Sequence, residues 1–166
     1  MKETEMTIHG LTMDPKNSSP VLLLKEPNTQ RTLPIWIGVY EANAIATRLA
    51  GIEPPRPMTH DLLHSTLLKA GYTVRRVVIT ELRDNTFYAT IGLSSNAGEL
   101  EIDSRPSDAI ALAVRAESPI FVNEEVLEQS AIDLSSLEVD EKSGEKDELL
   151  EMLENMDPED YSKYKM

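Results

Sequence analysis

Apolar positions along the chain follow two rhythms, one of period two and one near 3.6, and their alternation lays out the elements. Residues 5–13 and 20–26 read as two strands. Val21-Leu22-Leu23-Leu24 is a continuous apolar run, as in a strand buried on both faces. Asp14 to Ser19 between them contains Pro, Asn and Ser and reads as a loop. Leu33 to Ile37 is a third strand, and Pro34, which cannot donate to a ladder, points to a sheet edge or a strand start there. Ala42, Ile45, Ala46 and Leu49 recur at helical spacing and predict a helix over residues 40–50, stopped by Gly51. Glu53-Pro54-Pro55-Arg56-Pro57 is a stiff, extended connection, because a residue before proline is pushed out of the α region. Thr59 is the expected N-cap of a second helix over 60–70, ended by Gly71.

The second half repeats the scheme. Tyr72 to Leu82 is a strand rich in Val, Ile and Thr, and Asp84-Asn85 is a tight turn. Phe87, Ala89, Ile91 and Leu93 alternate with polar or small residues, and Leu100 and Ile102 alternate with acids. Pro106 opens a helix over 106–117, and Ile120 to Val122 closes the run as a short strand. Three strands followed by an alanine-rich helix thus occur twice, with Ala44-Ile45-Ala46 aligned on Ala109-Ile110-Ala111. The pattern predicts an α+β fold: a mixed β-sheet with packed helices, built by β-β-β-α duplication, with an acidic helical C-terminal tail. The expected division is a domain over residues 1–123 and a tail over 124–166. In the tail, residues 124–129 read as a short helix, 130–144 as a linker and 146–155 as a helix with Leu149, Leu150, Leu153 and Met156 on one face. That stripe packs on its own domain, on another subunit of a homo-oligomer or on a protein partner.

Charge sharpens this division. Of the formal −13, residues 124–166 carry −11, leaving −2 on residues 1–123. A body so close to neutrality lacks a strong nucleic-acid footprint, though nucleic acid remains a candidate partner through a local basic patch. Arg75, Arg76 and Arg83 lie on or beside one strand and are candidates for such a patch. The tail itself could shield a basic site by mimicking nucleic acid. Cysteine is absent, which excludes disulfides, thiolate metal sites and a cysteine nucleophile. The start, Met1-Lys2-Glu3-Thr4-Glu5, shows no signal-peptide pattern, and no apolar run approaches a membrane span. A cytoplasmic protein with no membrane contact is expected.

Two segments carry candidate chemistry: Arg56-Pro57-Met58-Thr59-His60-Asp61 and Asp103-Ser104-Arg105-Pro106-Ser107-Asp108. Each places an arginine, a hydroxyl and an acid at a helix start, where free N–H groups and the helix dipole favour an anion. Arg56, Arg105, Thr59 and Ser107 are the phosphate-binding candidates. The plainer reading makes Thr59 and Ser107 caps, and Asp61 and Asp108 complements to the dipole, paired with the same arginines. His60 is the candidate acid/base, since a histidine's ordinary pKa of about 6.5 suits that task. Asp61 and Asp108 complete the candidate catalytic set, binding a metal or orienting the histidine. Asp103 and Glu41 are further carboxylates for Mg²⁺ or Mn²⁺. His60 and His64 are four apart on a helix, as in zinc helices, but no third ligand accompanies them. No Gly-rich phosphate loop, nucleophile elbow or dinucleotide fingerprint is present.

These segments, together with Leu33-Pro34-Ile35-Trp36-Ile37-Gly38, Glu41-Ala42, the run Ala109-Ile110-Ala111-Leu112-Ala113 and Pro119-Ile120-Phe121-Val122, resemble the bifunctional nuclease family over about residues 5–125. The ending Pro158-Glu159-Asp160-Tyr161 is similar to that of bacterial members. The resemblance implies an α+β domain and the activity that names the family, cleavage of both DNA and RNA. The motif positions it carries over are Glu41, Arg56, Thr59, His60, Asp61, Asp103, Arg105, Ser107 and Asp108. His64 lies outside that pattern. The expected function is therefore a phosphodiester hydrolase whose site joins the two Arg-Pro segments. The rivals are a non-catalytic module binding an anion or a partner through the same arginines, and an oligomeric structural protein.

Overall fold

The computed structural model describes residues 2–136. Its first half is a meander of three antiparallel strands, β1 (Glu3–Met13), β2 (Pro20–Lys25) and β3 (Arg31–Trp36), followed by helix α1 (Val39–Leu49). Helix α2 (Thr59–Lys69) leads to the second meander, β4 (Thr73–Arg83), β5 (Thr86–Ser95) and β6 (Gly98–Ser104), and then to α3 (Pro106–Ala116). Strand β7 (Ile120–Asn123), helix α4 (Glu124–Ser130), the two-residue β8 (Ile132–Asp133) and a 3₁₀ turn at Leu134–Ser136 complete the order.

All eight strands form one mixed sheet in the order β6-β5-β4-β7-β1-β2-β3-β8, and β4 with β7 is its parallel pair. The two meanders run outward from β7 in opposite directions, each ending in a helix. The expected β-β-β-α repeat is therefore present as topology. Positive φ at Asp84 and Asn85 gives the tight turn between β4 and β5, as their short polar side chains permit. Pro34 sits beyond the reach of β8, which pairs with only Arg31 and Thr32, so its missing N–H faces an open edge.

Helix α3 organises the core. It packs on β4 and β5 and takes α1 and α2 against its sides. Ala109, Ile110, Ala111, Leu112 and Ala113 are all buried, and the alanines let neighbouring backbones come close. Ile45 of α1 and Ile110 of α3, the aligned residues of the repeat, are both fully buried. Helix α2 is peripheral: it buries no residue completely and is anchored through half-buried Leu67. Its start differs from expectation. Met58 occupies the cap position and Thr59 is already helical, so the Asp61 side chain, not the Thr59 hydroxyl, accepts the free Met58 N–H at 2.9 Å. At α3, too, Arg105 holds the cap position and Ser107 is a buried second-position residue.

The packed body runs past the division expected at residue 123. Val126 and Leu127 of α4 are buried in the core. Arg31 bridges Glu26 at 2.9 Å and Glu124 at 2.5 Å, tying β3 to the start of α4. The linker expected from residue 130 is replaced at its start by β8, because Ile132 and Asp133 find ladder partners on β3. The expected helix at 146–155 and its apolar stripe lie outside the described residues. No helix among the described residues is long and apolar enough to cross a membrane.

Leu127→Ala should lower the unfolding free energy by about 2–5 kcal/mol, the cost of emptying a buried leucine site. Urea denaturation checks this; a loss under about 0.5 kcal/mol would show that α4 is not part of the core.

Candidate active site

Three helix N-termini open into one cleft of about 1000 Å³. α1 contributes Tyr40 and Glu41, α2 contributes Thr59, His60 and Asp61, and α3 contributes Arg105 and Asp108. The proline-rich connection between α1 and α2 forms another wall through Pro54, Pro55 and Pro57. Each helix carries an acid at its third position: Glu41, Asp61 and Asp108. There an acid meets the free N–H groups and the positive end of the dipole.

These acids are bridged across the helices. His60 Nε2 lies 2.9 Å from Asp108 Oδ1, and Arg105 Nε donates to Asp108 Oδ2 at 2.7 Å. The same guanidinium reaches Glu41 Oε1 at 2.9 Å, so Arg105 links α1 to α3. Arg115 Nε donates to Asp61 Oδ1 at 2.6 Å and its Nη1 donates to the Ala111 carbonyl at 2.8 Å. The result is a continuous chain, Glu41–Arg105–Asp108–His60, with Asp61–Arg115 beside it.

Burial pushes the Asp108 carboxyl up, but hydrogen bonds from Arg105 and then His60 outweigh it and leave Asp108 below the usual carboxylate range. Burial likewise pushes Asp61 up, and the Met58 N–H and the Arg115 guanidinium more than offset it. Arg105 is held above its ordinary range, by Asp108 first and Glu41 after it. Asp61 and Asp108 are thus set to stay ionised.

Six of the nine residues singled out from the sequence line the cleft: Glu41, Thr59, His60, Asp61, Arg105 and Asp108. The other three lie apart. Arg56 is exposed on the connection and is not among the cleft-lining residues. Ser107 is buried in α3 and is not among the cleft-lining residues. Asp103 sits on edge strand β6 opposite Thr90, on the face turned away from Ile102. Glu41 and Asp108 are both taken up by Arg105. Among the described residues no group of three His, Cys, Asp or Glu is placed to hold a metal ion. The expected Mg²⁺ or Mn²⁺ finds no ready-made ligand set there, and half-buried His64 does not line the cleft.

Sequence reasoning missed Arg115 and Tyr40. Arg115 was legible in principle, since it is the one charge inside an otherwise apolar stretch of α3 and lies two turns from Asp108 on the same face. Tyr40 carried no signal beyond being an aromatic in a helix's first turn. The three arginines of β4 are committed elsewhere: Arg75 to Glu99, Arg76 to Glu3 and Arg83 to Glu81.

Comparison with known proteins matches this architecture to a family. The profile of the bifunctional nuclease domain matches residues 22–135. An uncharacterized protein of Mycobacterium tuberculosis is 39% identical over 163 residues, covering 95% of this chain and 97% of that protein. Bifunctional nuclease 1 of Oryza sativa subsp. indica is 31% identical over 117 residues, 67% of this chain and 35% of the rice protein. Bifunctional nuclease 1 of Arabidopsis thaliana is 34% identical over 108 residues, 63% of this chain and 33% of the plant protein. The chain therefore spans about a third of the length of these plant relatives. The matched span runs from β2 to the 3₁₀ turn after β8 and holds every residue of the cleft, and the chain belongs to the bifunctional nuclease domain family.

Proposed function

We propose that the cleft hydrolyses phosphodiester bonds of nucleic acid, with His60 as the acid/base. The observation that supports this best is the convergence of His60, Asp108 and Arg105 where three helix N-termini meet. Arg105 is 65% exposed at its side chain and stands ready for a phosphate oxygen, and Arg56 can approach from the outer connection. Asp108 engages Nε2 of His60, which leaves Nδ1 to exchange a proton with the reactants. His60 takes a proton from the attacking water as its oxygen bonds to phosphorus. The bond to the leaving oxygen breaks, and the same proton passes to that oxygen. Asp108 stabilises the imidazolium in between, and Arg105 and the helix dipoles stabilise the charge that builds on the phosphoryl oxygens.

Glu41 holds Arg105, and Gly38 leaves the Glu41 carboxylate room to do so. The backbone at Gly38 is extended, with φ −73° and ψ 158°, which any residue adopts. Glycine is needed there for space, because a Cβ would collide with the Glu41 carboxylate. Asp61 has another duty. It is bound to its own helix cap and to Arg115, so it sets the position of α2 without meeting the substrate.

One observation favours a non-catalytic reading: Arg105 is already neutralised by two carboxylates, as in a cleft that holds an anion or a partner without turnover. Cleavage assays on single- and double-stranded DNA and RNA, in EDTA, Mg²⁺ or Mn²⁺, separate the two. On the proposed reading His60→Ala loses about 10²–10⁴ in rate, and activity persists in EDTA. Equal turnover by wild type and His60→Ala overturns it. Gly38→Ala should keep the fold and lower turnover about two- to fivefold, the worth of an exposed ion pair; unchanged turnover would remove Glu41 from the machinery. Asp61→Asn should cost about 2–3 kcal/mol at neutral pH, below the ~3–5 of a fully buried pair. Because Asp61 is more acidic folded than unfolded, its contribution is complete above the unfolded value of about 3.8 and fades as pH falls below it. Denaturation at pH 7 and pH 3 should show that gap narrowing on the acid side; a gap that widens there contradicts the assignment.

A further inference from the structure

We infer that the cleft takes an unpaired strand, and that Tyr40 is the residue on which a base of that strand stacks; this rests on the cleft being the phosphodiester site. Tyr40 lines the cleft and is 87% exposed, in the first turn of α1 and next to Glu41, which holds Arg105. Leaving so much aromatic surface in water is unfavourable unless something covers it. Other parts of the cleft lining are apolar as well: Ile52, Pro54, Pro55, Pro57 and Met58 contribute to it, and Ile52 and Met58 are 46% and 44% exposed. Flat apolar surface beside a polar centre suits a nucleobase next to its own phosphate.

The charge of the cleft points the same way. Glu41, Glu53, Asp61 and Asp108 face Arg48, Arg105 and Arg115, so four carboxylates stand against three guanidiniums. Duplex binding draws most of its strength from neutralising many phosphates on both strands, which this lining does not offer. Single-strand binding adds to its phosphate contacts the stacking of bases on aromatic side chains, which works on any base. His60 has a side chain only 12% exposed, so the phosphate must come inward to it. A flexible strand with its bases splayed out does that, whereas a stiff duplex presents its phosphates on a convex cylinder.

The test uses the full chain and fluorescein-labelled 12-mers of four kinds: single-stranded DNA, single-stranded RNA, the same DNA annealed to its complement, and a strand with abasic sites at its centre. Binding is read by anisotropy on the His60→Ala protein, and cleavage on the active protein. The expected result is binding to both single strands at least tenfold tighter than to duplex or abasic strand. Tyr40→Ala should raise KM about 5- to 100-fold, the range for loss of one base stack, with kcat changed less than twofold. Tyr40→Phe and Tyr40→Trp should bind as wild type does. Equal affinity for duplex and single strand, equal affinity for the abasic strand, or unchanged KM in Tyr40→Ala would each overturn the inference. So would a shift in solution mass on Tyr40→Ala, which would show that a second copy of the chain covers Tyr40. An active His60→Ala protein is a different failure: it removes the catalytic reading of the cleft, whereas a silent Tyr40→Ala removes only the stacking.

Discussion

The burial of α3 on β4 and β5 is the constraint from which the site follows. Ala109, Ile110, Ala111, Leu112 and Ala113 are enclosed, so the helix cannot rotate without exposing apolar surface. Asp108 and Arg115 leave the helix on one face, two turns apart, and are thereby fixed in direction. Both meet α2, a helix that buries no residue completely and would otherwise have little to hold it. His60 on Asp108 and Asp61 on Arg115 are the two polar pins that dock α2 to the core. Helix α1 is placed from the other side by Ile45 and by the reach of Arg105 to Glu41.

Electrostatics then decides what the cleft can do. Three acids at three helix starts would repel one another if left alone and half-buried. Two arginines and a histidine bring each acid a positive or hydrogen-bonding partner, and Asp61 and Asp108 end more acidic than usual despite their burial. Asp61 and Asp108 both stand in the first turn of a helix, and Asp108 from that position also meets His60 Nε2 at 2.9 Å. Asp61 shows the structural use in pure form, with its two oxygens committed to Met58 and Arg115. Arg105 shows the other extreme, an exposed guanidinium held in place by two carboxylates and open to an anion.

The fold was largely legible in the sequence because period and punctuation are local. Alternation marked β5, helical spacing marked α1, Pro106 marked the start of α3, and Gly51 and Gly71 ended α1 and α2 with the positive φ that such stops require. Charge partition misplaced the end of the body, because acids such as Glu124 and Glu128 sit on a helix whose Val126 and Leu127 are core. Burial is a property of the partner surface, and a count of acids cannot register it. Asp61 and Asp108 were read at their helix starts for the same local reason that the helices were, whereas the place of Glu41 in the first turn of α1 came from the structure.

What tertiary structure alone decided is which groups meet. The sequence placed His60 and Asp108 on two helices 48 residues apart. Only the packing of α2 against α3 brought them to hydrogen-bonding distance, set Arg105 between two carboxylates and opened Tyr40 onto the same cleft. It also set two candidates apart from the cleft: Asp103, on the face of β6 turned away from Ile102, and Ser107, buried at the second position of α3. By itself, the sequence determined the elements, their ends and the residue types available at each helix start, since backbone propensity and capping act within a few residues. The site was decided by side chains that meet across the chain, which depends on how the alanine-rich helix seats on the sheet.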